Sequence, residues 1–152
     1  CSCGNRGCLE TLVGTPALLE RARALAEENP TSALASTPIT VEAIEDAALA
    51  GDPAAVRLVH EAAESLAIAV ADVLNLLNPA AVVIGGSLAR VGPLFMDHVK
   101  EMARSRTLVN SAASARILAS TLGPHAIARG AATLVLHQAL TLPTMFPTLV
   151  TS

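Results

Sequence analysis

Aromatic and charged residues are scarce in this sequence of 152 residues. It contains two Phe and no Trp or Tyr, and Asp, Glu, Lys and Arg together make up 15% of it. The net charge is −3, and Lys and Arg form no cluster. Binding of nucleic acid requires a basic face that neutralises phosphates. The composition therefore excludes this chain from the class of direct nucleic-acid binders.

Long apolar runs and a secretion signal are also missing. The longest apolar segment, 66–77, contains Asp72 and Asn75 and ends at Asn78-Pro79. A membrane-spanning helix needs about 20 apolar residues in succession, so this segment is predicted to be a buried helix. The chain does not open with a charged and then apolar segment of the kind that directs secretion. We expect a cytoplasmic protein without membrane contact.

Hydrophobic residues nevertheless make up 52% of the sequence, and many of them recur at helical spacing. Thr15-Pro16, Thr40 and Asp52-Pro53 are typical helix starts, with a capping side chain or a proline in the first turn. The predicted helices are 15–29, 40–50, 52–77, 93–104 and 124–140, with a loop at 30–38 and a tail at 141–152. The predicted apolar stripe of the longest helix comprises Val59, Ala63, Leu66, Val70, Val73 and Leu77.

Two short apolar segments predict buried strands. Ala81–Ile84 is β-branched and runs into Gly85-Gly86, as a parallel strand does where it leaves the sheet. Ala115–Ser120 is the second strand. Strands that alternate with helices indicate an α/β fold, but two strands are too few to cover this many apolar helices. We expect the remaining strands to lie N-terminal to Cys1, or the apolar surface to be covered by self-association.

Three cysteines fall within the first eight residues, as Cys1, Cys3 and Cys8. An odd number of cysteines at such close spacing favours a metal site over a disulfide framework; the alternative is three incidental thiols. A tetrahedral zinc site needs four ligands. The fourth ligand must therefore come from elsewhere. A histidine upstream of Cys1 is the best candidate, and the alternatives are water, a neighbouring chain or a histidine within the chain: His60, His98, His125 or His137.

Three motifs together resemble the ROK family of bacterial sugar kinases and sugar-responsive transcription factors. The first is Cys1-x-Cys3-Gly4-x-x-Gly7-Cys8-Leu9-Glu10, which matches the family's zinc motif without a departure. The others are Val82-Val83-Ile84-Gly85-Gly86-Ser87, and Leu122-Gly123-Pro124-His125-Ala126 running on to Gly130-Ala131-Ala132. The resemblance implies an actin-like fold with two ribonuclease-H-like domains. This chain would be one partial domain (zinc loop 1–10, two strands and helices 11–140, tail 141–152), without the N-terminal strands of its sheet.

The resemblance also implies roles for individual residues. Cys1, Cys3 and Cys8 would be structural zinc ligands, completed by an upstream histidine. Glu10 would hydrogen-bond sugar hydroxyls; without the motif, an acidic residue favoured at a helix start would be the better interpretation. The segment Gly85-Gly86-Ser87 would approach a nucleotide if the protein is a kinase, and would otherwise be a plain turn.

The resemblance leaves three functions open, and the sequence favours a sugar-responsive repressor that is not itself an enzyme. The segment 124–129 carries bulky residues and Arg129 where the family's kinases carry small residues beside the nucleotide. The implied partners are a sugar or sugar phosphate and a second copy of the chain, with DNA bound only through a separate N-terminal winged-helix domain. The alternatives are an ATP-dependent, glucokinase-like sugar kinase and a segment that serves only in dimerisation.

Overall fold

The computed structural model describes residues 1–108, 114–123 and 125–141, and the chain divides into two compact units, 1–120 and 121–152. The first unit contains most of the described helices and the two strands, with short 3-10 turns at Ala33–Ala35 and Leu88–Val91. The elements are α1 (Glu10–Val13), α2 (Thr15–Glu28), α3 (Val41–Leu49), α4 (Pro53–Leu77), β1 (Ala81–Ile84), α5 (Pro93–Ser105), β2 (Arg116–Ala119) and, in the second unit, α6 (Ala126–Thr141).

The strands β1 and β2 form a parallel pair, with Ala81 opposite Arg116 and Ile84 opposite Ala119. Helix α5 lies between them in the chain, as the crossover that a parallel pair requires. Both predicted strands are therefore present, although the second is shorter by one residue at each end. A helix-rich α/β fold with a small two-stranded sheet is confirmed for the described residues.

Helix α4 lies at the centre of the core and packs against α2, α3 and α5. The predicted apolar stripe is confirmed as far as Val70, since Val59, Ala63 and Val70 are buried and Leu66 is half-buried. It is wrong at the end, because Val73 and Leu77 are 39% and 74% exposed and Leu74 is buried instead. A straight α-helix turns by about 20° per seven residues relative to a strict heptad pattern. The buried face of α4 has consequently rotated by the time it reaches its last turns.

Two of the three predicted helix caps are confirmed. Thr40 and Asp52 are the N-caps of α3 and α4, and their side-chain oxygens accept hydrogen bonds from backbone N–H groups. The prediction that Thr15 caps α2 is wrong, because Gly14 holds the cap position and Thr15 is already helical. The predicted start of the last helix at Pro124 and the tail from 142 onward lie outside the described residues.

Asp52 connects the start of α4 to the turn at Ala33–Ala35. Its carboxylate accepts hydrogen bonds from the N–H groups of Ala54 and Ala55, both at 3.0 Å, and from Ser32 Oγ and Ala33 N at 2.9 Å. Partial burial raises the pKa of Asp52, but these hydrogen bonds outweigh burial and hold the pKa below its ordinary value. The ionised form is therefore the one that stabilises the fold.

Replacing Asp52 with Ala is expected to destabilise the protein by about 1–2 kcal/mol at neutral pH, the usual cost of losing an N-cap. Because the folded-state pKa is lowered, this stabilisation is complete above the ordinary pKa of 3.8 and disappears as the pH falls through the folded-state value. Thermal unfolding of wild type and variant across this pH range measures the difference. Asp72→Ala, an exposed position in α4, is the control and should change little; equal stability of the Asp52 variant at neutral pH would contradict the prediction.

Candidate metal centre and adjoining cavities

The segment before α1 brings the three cysteine sulfurs together. Gly4 and Gly7 have φ angles of 75° and 74°, a left-handed conformation that glycine adopts without strain. These two turns place Cys1 Sγ 2.9 Å from Cys3 Sγ, and Cys3 Sγ 3.4 Å from Cys8 Sγ. All three sulfur atoms lie within 4.8 Å of one another. The three thiols form a group that can hold a metal ion.

The surroundings of the central thiol, Cys3, favour its thiolate form. The backbone N–H of Asn5 lies 3.4 Å from Cys3 Sγ, and this contact, together with the neighbouring Cys8 thiol, lowers the pKa of Cys3 below its ordinary value. The thiolate is the form that binds metal. Donors that favour the thiolate therefore also favour ion binding.

The geometry of the thiols fits a tetrahedral site. With Zn–S bonds of about 2.3 Å, the sulfur atoms of such a site are separated by about 3.8 Å. The observed separations would open by less than about 1 Å around an ion. Cys1, Cys3 and Cys8 would supply three ligands, and the fourth position needs a further donor. His60 and His98 are not in the thiol group; their rings stack on each other with centroids 4.5 Å apart.

Hydrogen bonds connect Cys8, one of the three cysteines, to α1. Thr11 donates to the carbonyl oxygen of Cys8 twice, from its side-chain Oγ1 at 2.6 Å and from its backbone N–H at 2.9 Å. Glu10, the first residue of α1, is exposed and lines a cavity of about 220 Å³ beside the thiols. The predicted ligands and Glu10 are thus brought together. The residues that line this cavity are Cys1, Glu10, Thr11, Pro16, Ala17 and Glu20.

The predicted segment Gly85-Gly86-Ser87 lines a different cavity, of about 440 Å³. Its walls are mainly apolar and come from β1, α4 and Phe95 of α5. The turn is held against β2 by a hydrogen bond of 2.8 Å from Ser120 N to the carbonyl oxygen of Ile84. The joint between α1 and α2, at Val13–Thr15, also lines this cavity.

An ion pair with one buried partner, which no sequence motif indicates, lies just after the glycine turn. Glu45 of α3 is 4% exposed, and its Oε2 lies 3.3 Å from Nη2 of Arg90. Its Oε1 has no hydrogen-bond partner within the described part of the chain. Burial raises the pKa of Glu45 above its ordinary value, and Arg90 opposes that rise only in part. The spacing of Glu45 with Val41 and Ala48 indicates the buried face of α3, so burial, but not the partner, could have been predicted.

Replacing Glu45 with Gln is expected to raise the melting temperature at neutral pH, because the amide resembles the neutral form that burial favours. With a raised folded-state pKa, the stabilisation from the protonated carboxyl is complete below the ordinary value of 4.5 and is lost as the pH rises through the folded-state value. The advantage of Gln should therefore vanish in acid. Thermal unfolding measures it, with the exposed Glu101→Gln of α5 as control; a lower melting temperature for Glu45→Gln at neutral pH would show that the Arg90 contact dominates.

Comparison with known proteins places this chain in the ROK family, whose profile matches residues 1–138. The xylose repressor of Caldicellulosiruptor bescii is 31% identical over 147 residues, which cover 94% of this chain and 37% of the repressor. The chain belongs to the ROK family, as its motifs predict.

Two crystal structures of ROK proteins resemble the fold. A transcriptional regulator homologous to the Escherichia coli MLC protein has a TM-score of 0.72 and 31% identity, covering 78% of this chain and 30% of the regulator. A glucokinase from Streptomyces griseus, in complex with glucose and AMPPNP, has a TM-score of 0.77 and 31% identity, covering 88% of this chain and 46% of the enzyme. The chain thus spans less than half the length of these relatives. Among the described residues, no helix combines the length and apolar content needed to cross a membrane.

Proposed function

We propose that this chain is the effector-sensing part of a sugar-responsive ROK transcriptional repressor. The observation that carries the proposal is the direct connection between the thiol group and α1, which places Glu10 at a cavity beside the metal loop. A carboxylate that accepts hydrogen bonds from several hydroxyl groups is well suited to a sugar. Repressors are present among the relatives of known function, including the xylose repressor.

In this proposal the metal is a structural zinc ion. Cys1, Cys3 and Cys8 hold it, with a histidine upstream of Cys1 as the fourth ligand that the family resemblance implies. Cys8 would be held in place as a ligand, the two hydrogen bonds from Thr11 to its carbonyl oxygen would fix the start of α1, and Glu10 would thereby be oriented at the cavity. Groups that orient metal ligands typically affect metal affinity or activity when they are removed. Metal and sugar binding should therefore be coupled.

The proposal extends to the architecture around this chain. The helices and the strand pair would be part of an actin-like, ribonuclease-H-like domain, whose further strands lie upstream and complete the sheet. A separate N-terminal winged-helix domain would bind DNA, and two copies would associate in the cytoplasm. Sugar binding would change the spacing of the two DNA-binding domains, which requires that the sugar bind the two states unequally.

A sugar kinase is the second candidate function. It is supported by the likeness to the Streptomyces griseus glucokinase, because this enzyme and the transcriptional regulator each share 31% sequence identity with the chain. In a kinase, Gly85-Gly86-Ser87 would approach the nucleotide, and catalysis would consist mainly of positioning and charge stabilisation.

Two measurements on the intact protein separate the candidates. Calorimetric titration with D-xylose and D-glucose tests sugar binding, and an assay of sugar-dependent ADP formation from ATP tests phosphoryl transfer. The repressor proposal predicts sugar binding without ADP formation, and release of the protein from its operator DNA by the same sugar. Sugar-dependent ADP formation would favour the kinase, and failure to bind either sugar while remaining dimeric would favour a role in assembly alone.

A further inference from the structure

The joint between α1 and α2 has no room for a side chain at Gly14. The N–H of Gly14 donates to the carbonyl oxygen of Glu10 at 2.8 Å and closes α1 after a single turn. A Cβ atom built on Gly14 would lie 2.4 Å from that oxygen and 3.0 Å from Cγ of Glu10. The φ and ψ angles of −70° and 152° are open to any residue. Glycine is therefore required here by contact with Glu10 and not by backbone conformation.

We infer that Gly14 is a positioning residue for the Glu10 carboxylate in the sugar site. This inference rests on the proposed function, since it assumes that Glu10 accepts hydrogen bonds from the sugar. A methyl group at position 14 would meet Glu10 at two points, the backbone oxygen and the first part of the side chain that carries the carboxylate. The 2.4 Å contact is shorter than Cβ atoms tolerate and the 3.0 Å contact is tighter than most, so the end of α1 and the Glu10 side chain must both move.

The surroundings of the joint leave few directions for that movement. On one side of Glu10, α1 is held to the metal loop by the two Thr11 hydrogen bonds to Cys8. On the other side, Pro16 and Ala17 at the start of α2 line the same cavity as the carboxylate. Rotation of the Glu10 side chain relieves the contact with Cγ, whereas the contact with the backbone oxygen requires the end of α1 to shift, and both movements displace the carboxylate. A larger residue at position 14 should turn the carboxylate away while the thiol group stays in place.

A double-mutant cycle in the intact protein tests this inference. D-Xylose and D-glucose are titrated by calorimetry into wild type, Gly14→Ala, Glu10→Ala and the double variant, and the metal content and melting temperature of each are measured. Gly130→Ala is the matched control, because a Cβ atom at this helical glycine meets nothing within 4 Å. Gly14→Ala is expected to lower sugar affinity about tenfold, the effect of one misplaced charged hydrogen bond. When Glu10 is already replaced by Ala, the Gly14→Ala substitution should change sugar affinity by less than about twofold.

The dependence of the affinity loss on Glu10, together with the metal content, separates positioning from a general loss of structure. The backbone clash with the Glu10 oxygen persists when its side chain is removed, so Gly14→Ala should lower the melting temperature in both backgrounds. Equal losses of affinity in both backgrounds, or a loss of metal from Gly14→Ala, would overturn the inference and assign Gly14 a structural role only. Unchanged affinity in Gly14→Ala together with weaker binding in Glu10→Ala would overturn the inference alone. Unchanged affinity in Glu10→Ala would overturn the proposed sugar site itself.

Discussion

Replacing Cys8 with Ser is expected to remove both metal binding and tight sugar binding. Cys8 supplies one of the three sulfur atoms, and its carbonyl oxygen accepts both hydrogen bonds from Thr11. Loss of groups that merely orient metal ligands already lowers metal affinity about 10- to 100-fold. Loss of a ligand should cost more than about 100-fold. The metal-to-protein ratio by atomic emission and the sugar affinity by calorimetry are the measurements.

Ser2→Ala is the matched control for Cys8→Ser, because Ser2 is exposed in the same loop and carries no thiol. It should retain the metal and the sugar affinity. Retention of a full equivalent of metal by Cys8→Ser would exclude Cys8 as a ligand. Loss of metal with unchanged sugar affinity would support Cys8 as a metal ligand but contradict the proposed coupling between the metal and Glu10.

The second large effect is expected at Glu10. Glu10→Gln preserves the size of the side chain and removes its charge, so hydrogen bonds from sugar hydroxyls are weakened without changing α1. Hydrogen bonds to a charged group contribute about 1.5–3 kcal/mol, which predicts a loss of affinity of about 10- to 100-fold. Metal content should be unchanged, because Glu10 lies beside the thiol group and is not one of its members.

Glu27→Gln in α2 is the control for Glu10→Gln, since Glu27 is an exposed glutamate that does not line the Glu10 cavity. Both variants are titrated with the sugar that binds the wild type. Equal affinities for Glu10→Gln and wild type would remove Glu10 from the sugar site. A loss of affinity in Glu27→Gln of the same size would point to an effect of net charge and not of position.

Local signals in the sequence predicted much of the fold. Asp52-Pro53 and Thr40 carry their own capping chemistry, and Ala81–Ile84 followed by two glycines indicates a strand that leaves a sheet. The start of α2 was misplaced because Thr15-Pro16 has the signature of a cap, whereas the cap position falls on Gly14. The end of the α4 stripe was misplaced because heptad spacing was extended over a straight helix.

In the candidate site, too, local features could be predicted from the sequence and contacts between distant residues could not. The convergence of three sulfur atoms could be predicted, because the cysteines and the glycines that turn the chain lie within eight residues. The partners of Glu45 and Gly14 could not, since Arg90 is distant in sequence and the Gly14 contact depends on how α1 ends. The presence of Glu20 in the Glu10 cavity likewise depends on the angle between α1 and α2, for which the sequence carries no local signal.

The dependence of sugar affinity on the bound metal tests the central claim most directly. The intact protein is titrated with D-xylose and D-glucose as purified, after removal of metal with a chelator, and after readdition of zinc. If the metal loop holds α1 and Glu10 in place, affinity should fall at least about tenfold without metal and recover with zinc. Sugar binding that is the same in all three states would contradict the proposed connection between the thiol group and the sugar site.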